Sequence, residues 1–199
     1  MNIFYLDYDT KACAEMHVDK HCVKMILEYA QLLSTAHRVL DGVLTIGLSQ
    51  SGRKRQLYVL QDDLDKILYS ATHVNHPSAV WCRQSAKNYM WLAELLEECC
   101  KEYSYRYGKI HKVESSGLMQ ILKNVFPNNI PDKPFTEPTP AMPDECKVPG
   151  DSITSYRNYY MMNKSHLWSW KGKINKRETP FWFKEWTQKV LESLSYGYS

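Results

Sequence analysis

The chain has 199 residues, 44% hydrophobic and 24% charged, with a net charge of +3. This is ordinary globular composition, and no window approaches the run of about eighteen apolar residues that a membrane span requires, so a helical membrane protein is excluded. The length suffices for one sizeable core, and the chain is read as a single compact helical domain over residues 1–199.

In chain order, NIFYLD is a short extended run. Asp9 or Thr10 then caps a long helix that continues to about Leu40 and is ended by Asp41-Gly42. GVLTIGLSQSGRKRQ carries three glycines and a basic cluster and reads as a loop. A shorter helix is predicted from about Leu57 to Thr72, stopping before HVNHP, where Pro77 restricts its predecessor. Apolar spacing near 3.6 predicts a second long helix from Ser78 to Tyr107, closed by Gly108. SSGLMQILKNVF gives a short helix, and seven prolines between Pro127 and Pro149 then preclude regular structure over 127–150. A stretch that long without structure is functional or packed over a surface. Asp151 caps a further helix in DSITSYRNYYMMNK, and TPFWFKEWTQKVLESL holds a last one. The expectation is an all-α fold with two long helices, a short N-terminal extended segment and a long Pro-rich loop; alternating βαβ patterning and phosphate-binding glycine motifs are absent.

Six cysteines (Cys13, Cys22, Cys82, Cys99, Cys100 and Cys146) form no CxxC pair and mostly sit in apolar helical patterns, which favours reduced thiols. MNIFYLDYD lacks the basic and apolar regions of a secretory signal, so a cytoplasmic location is expected, with no membrane association.

The first long helix carries a polar stripe. At about 100° per residue, His17, His21, Lys24, Glu28, Gln31 and Thr35 fall within an arc of roughly 80°, while apolar residues such as Cys22, Val23, Met25, Leu27 and Leu33 fill most of the remainder. Three readings of the stripe stand. It is a narrow solvated face with Lys24 and Glu28 as an i,i+4 pair. It is a metal site, in which His17 and His21 are joined by His73 and His76; Lys24 and the missing zincin glutamate oppose this, and neither metal nor cofactor is expected. Or it is an acid–base site built on Glu28 with His21 and Lys24, the carboxylate made useful by a partly apolar cleft.

The spacing of Asp19, His21 and Glu28 resembles the D-x-H-x6-E core of the phage pyrimidine-dimer DNA glycosylases known as the endonuclease V family. HPSAVW, the long helix ending in EECCKEYSYRYGK and the tail TPFWFKEW are similar to further blocks of that family, in the same order. The chain also resembles a wider set of phage-borne proteins with a DKHxVKM signature. The resemblance implies an all-α protein that acts on DNA in an infected host cell. Its chain-terminal α-amine forms a Schiff base with sugar C1′, and a glutamate assists ring opening and elimination. Carried over, Met1 offers the amine, Glu28 the carboxylate, and His21 a contact to phosphate or sugar. An α-amine with a pKa near 8 is about a tenth neutral at pH 7, whereas a lysine is almost wholly protonated. Asn2 predicts retention of Met1, Leu27 and Gln31 stand where the family has arginines, and the Pro-rich segment is an addition.

Residues 164–189 hold seven basic side chains against two acidic ones and interleave them with Trp168, Trp170, Phe181, Trp182, Phe183 and Trp186. Lysines neutralise phosphates and aromatic faces stack on bases, so Lys171, Lys173, Lys176 and Arg177 are the expected nucleic-acid contacts. His17, Lys24, Gln31, His76, Arg83 and Arg157 are expected to bind substrate. The alternative is a non-catalytic phage protein that uses the same cleft for a nucleotide signal of host defence or for a host protein, with His17, His21, Lys24 and Arg83 as anion donors.

Overall fold

A computed structural model describes residues 1–48 and 52–196. Helices α1 (Thr10–Met16), α2 (Asp19–Asp41), α3 (Leu64–Ile67), α4 (Pro77–Arg83), α5 (Ala86–Tyr107), α6 (Lys112–Ser115), α7 (Leu118–Asn124), α8 (Ser152–Asn163) and α9 (Phe181–Tyr196) are joined by one antiparallel hairpin, β1 (Val43–Leu48) and β2 (Lys54–Val59). The fold is mostly helical, and the hairpin corrects the all-α expectation.

The first long helix is in fact two. Asp9 caps α1 by accepting the Ala12 N–H, but His17 and Val18 are extended and the chain restarts at Asp19. The break is held open by Arg106 of α5, whose guanidinium donates to the carbonyls of Glu15 and His17, groups that a continuous helix would have used internally. The second long helix divides likewise: α4 ends at Arg83, and Ser85 caps α5 through the Lys87 N–H. Gly108 closes α5 in the left-handed conformation, and Asp151 caps α8.

Two segments differ from the expectation. Residues 43–48 and 54–59 pair from Val43 with Val59 to Leu48 with Lys54, so most of the expected loop is a β-ribbon; residues 49–51 of it lie outside the described residues. The helix expected over Leu57–Thr72 shrinks to a single turn at α3. Arg38, at the end of α2, explains this. Its guanidinium binds Asp65 at 2.7 Å and the carbonyls of Tyr58, Leu68 and Tyr69, holding 58–69 around one buried cation rather than in a helix.

The core lies between α2, α4 and α5, with α1, α7 and α8 around them and the buried segment Ile3–Leu6 threaded through. The Pro-rich segment is largely irregular and packs on this core: Phe135 contacts Tyr5, Trp81 and Trp91, and Thr136 pairs with the Asn88 side chain. No helix among the described residues is long and apolar enough to cross a membrane.

Candidate functional site

Ile3, Phe4, Tyr5 and Leu6 are all buried, and this fixes where the chain terminus sits. The Phe4 N–H donates to the Tyr29 hydroxyl, the Leu6 N–H reaches Cys13 Sγ, and the Leu6 carbonyl accepts from Arg157 Nε. Phe4 stacks on His21 with centroids 4.1 Å apart. Held at these points, the segment delivers the Met1 amine to 3.8 Å from Glu28 Oε2. Lys24 Nζ occupies the other carboxylate oxygen at 2.9 Å, so Glu28 is gripped from both sides. Glu28 is 14% exposed and Lys24 68%, so the lysine contributes orientation more than stability.

His76 is the third member. Its pKa is lowered first by burial and second by the positive Met1 terminus, with Glu28 opposing. His76 Nδ1 accepts the Ser78 N–H at the start of α4, so in the neutral ring Nε2 carries the proton. Arg83 supports this turn by donating to the Val74 carbonyl at 2.7 Å, and burial lowers its pKa. Gln31 is half-buried on the same side of α2 as Glu28. Met1, Glu28 and Lys24 therefore come together, with Gln31 one turn further along α2 and Arg83 bracing the turn that carries His76.

Two expected members lie elsewhere. His17 belongs to the break before α2 and has no exposure. Its Nδ1–H donates to the Cys13 carbonyl at 2.6 Å, and its Nε2 accepts from the Tyr29 hydroxyl at 2.8 Å. Burial pushes its pKa down to about 4. His21 is sandwiched by Phe4 and hydrogen-bonded to the Tyr160 hydroxyl at 2.6 Å, and burial lowers it to about 2. Both are neutral packing groups, so neither is placed to grip phosphate, and the four-histidine metal shell loses two ligands. The exposed face of α2 differs from the expected stripe: the apolar Val23 and Leu27 are exposed with Lys20 and Lys24, while Glu28 is largely buried.

The DKH triplet thus has structural work. The Asp19 carboxylate accepts from the Ser169 hydroxyl and from the backbone N–H groups of Lys171 and Gly172, and it pairs with Arg106 at 2.9 Å. Arg106, with no exposure, also pairs with Glu102, and Arg177 bridges Glu102 and Glu15 while lying over the Tyr105 ring. Arg177 is therefore a member of a buried ionic network and not an open phosphate contact; Lys171, Lys173 and Lys176 remain exposed. Arg157 is similarly committed, to Leu6, to Asp7 and to the faces of Phe181 and Trp182. No local pattern signals this network, because its members come from four separate segments.

Asn2 and Ser78 were also missed. Asn2 Oδ1 and Ser78 Oγ are buried without a protein hydrogen-bond partner. They belong to the two segments that carry Met1 and His76, and such groups call for an explanation. A hollow of 360 Å³ lies away from this pair, against Glu15, Glu98, Glu102 and Arg177, whose charges are largely matched to one another. A shallower depression runs along Lys20, Val23, Lys24 and Tyr107.

The fold and site together define a mostly helical protein with a largely enclosed amine–carboxylate pair. Comparison with protein-family models, curated proteins and solved structures gives no match.

Proposed function

We propose that the protein is a DNA N-glycosylase or abasic-site lyase that works through the Met1 amine and Glu28. The observation that carries this reading is the 3.8 Å approach of the two groups, at the start of a segment, Ile3–Leu6, that is buried in the core. The same two residues are those the endonuclease V resemblance selects from the sequence alone.

In the proposed reaction the neutral Met1 amine attacks sugar C1′, forming the N–C1′ bond. The bond from C1′ to the base breaks, and the base leaves with the electron pair and takes up a proton. Glu28 takes up the proton that the amine loses on attack and returns it to O4′ as the C1′–O4′ bond breaks and the protonated Schiff base forms. The regenerated carboxylate then removes a proton from C2′, the 3′-phosphate is expelled by elimination, and water hydrolyses the imine to free the amine. His76 Nε2–H and Lys24 are the donors available to sugar or phosphate oxygens. The target nucleotide has to leave the stack to reach the pair. The reading requires a free amine at residue 1, which N-terminal mass determination checks.

The test is borohydride reduction of the protein mixed with abasic or pyrimidine-damaged duplex. A covalent protein–DNA adduct is expected for wild type, and Glu28→Gln should still bind DNA while cleaving none. Absence of an adduct on every lesion tried would remove the amine mechanism. The alternative, a non-catalytic binder of a nucleotide signal or host factor, has less support: His17 and His21, two of its four anion donors, are enclosed and hydrogen-bonded within the core.

A further inference from the structure

The β1–β2 hairpin is the part of the molecule that the proposed site leaves unused. Alternation along β1 puts Leu44, Ile46 and Leu48 on one face, and they are 52%, 78% and 66% exposed. Their cross-strand partners are Tyr58, Gln56 and Lys54. An isolated two-stranded ribbon is marginal in water, and an exposed apolar row of this kind marks an interaction surface. The ribbon is nevertheless rooted firmly. Arg38 binds the Tyr58 carbonyl and Asp65 on one side, and on the other the Asp41 carboxylate accepts the backbone N–H groups of Asn128 and Asn129.

Charge identifies the occupant. Residues 43–59 contain Arg53, Lys54 and Arg55 and no acidic residue, and Lys54 and Arg55 are exposed near the distal end of the ribbon. Basic side chains on an edge also guard against strand pairing, but that role does not account for the apolar row beside them. The major groove of duplex DNA admits a two-stranded ribbon, apolar side chains meet thymine methyl groups there, and lysine and arginine meet the flanking phosphates. We propose that this hairpin is an arm that enters the major groove of the duplex flanking the target nucleotide.

The inference rests on the DNA reading above and gives it a geometry. Glu28 and Asp41 are on one helix, and thirteen residues at 1.5 Å make about 20 Å. With α2 laid along the duplex, the arm begins about six base pairs from the reacting nucleotide, at 3.4 Å per step.

The test compares two abasic duplexes, one extending about four base pairs and the other about twelve on each side of the lesion, with Lys54→Ala/Arg55→Ala and Ile46→Ser/Leu48→Ser variants. The basic double variant should flatten the slope of log K against log salt by about 1.8 on the long duplex, an effect of about twelvefold across a fourfold salt range, and leave the short duplex unaffected. The apolar double variant should weaken the long duplex several-fold without altering the slope, and its thermal unfolding should match wild type because both positions are exposed. If both variants bind the long duplex as wild type does, the arm assignment is overturned while the glycosylase reading stands. If wild type binds neither duplex, both are overturned. If the apolar variant keeps its DNA affinity but loses a self-associated state in sedimentation, the face belongs to a second copy of this chain and the DNA arm is overturned.

Discussion

Replacing Arg106 by methionine tests the network that holds α1, α2, α5 and the 169–177 loop together. Arg106 has no exposure; its guanidinium pairs with Asp19 and Glu102 and donates to the carbonyls of Glu15 and His17. Methionine fills much of the same volume, so the effect is electrostatic: among the described residues Glu102, 3% exposed, keeps only Arg177, and Asp19 loses its guanidinium partner. Breaking a buried pair by removing one partner costs about 3–5 kcal/mol. For a chain of this size, where 1 kcal/mol moves Tm by about 2–4 °C, the expected fall is about 6–20 °C. Calorimetry or circular dichroism melting reads it. Adding Glu102→Leu removes the stranded carboxylate and should recover part of the loss. A fall of less than about 2 °C for Arg106→Met, or no recovery in the double variant, would refute the claim that this network holds the fold.

Stability should decline as the solution is acidified below neutrality. His17 and His21 are buried neutral with lowered pKa values, so the unfolded chain binds more protons, and the stability present above the ordinary histidine pKa is lost as pH falls toward the folded values. Urea unfolding should show a loss of about 2 kcal/mol per histidine between pH 6.5 and pH 5, halved in His21→Gln; a flat profile over that range would contradict their burial as neutral groups. For the basic tail, the three exposed lysines predict a salt contribution of about −2.7 to the slope of log K, and Lys173→Ala/Lys176→Ala should remove about 1.8 of it on every DNA sequence. An unchanged slope would make the tail purely structural. Glu28→Gln should leave the salt slope as it is while abolishing strand cleavage; retained cleavage would exclude the carboxylate from proton transfer.

The helical character, the Asp9 and Asp151 caps, the Gly108 stop and the Asp41-Gly42 end of α2 were legible in the sequence because each depends on residues within a turn or two. The breaks at His17–Val18 and within 58–69 were not, because each is imposed by an arginine from elsewhere in the chain, Arg106 and Arg38, whose buried hydrogen bonds outweigh local helix propensity. The hairpin was hidden for a related reason. Its glycines and basic residues mimic loop composition, and the apolar alternation of VLTIGL is compressed into six residues. At the candidate site, sequence spacing brought out Glu28, Lys24 and Gln31 but put His17 and His21 on the same stripe. His17 in fact lies in the break before α2 with no exposure, and His21 is buried against Phe4 and Tyr160. The Asp19–Arg106–Glu102–Arg177 network, with the Gly172 N–H on Asp19, involves pairs up to 153 positions apart, and the buried Asn2 and Ser78 oxygens leave no periodic trace either.

The most direct test of the account is to locate the reduced adduct on the protein. After borohydride trapping on an abasic duplex, proteolysis and peptide mass analysis should place the deoxyribose remnant on the α-amine of Met1, 3.8 Å from Glu28 Oε2, and Lys24→Ala should still be trapped. An adduct on Lys24 or on another lysine, with Met1 recovered unmodified, would contradict it.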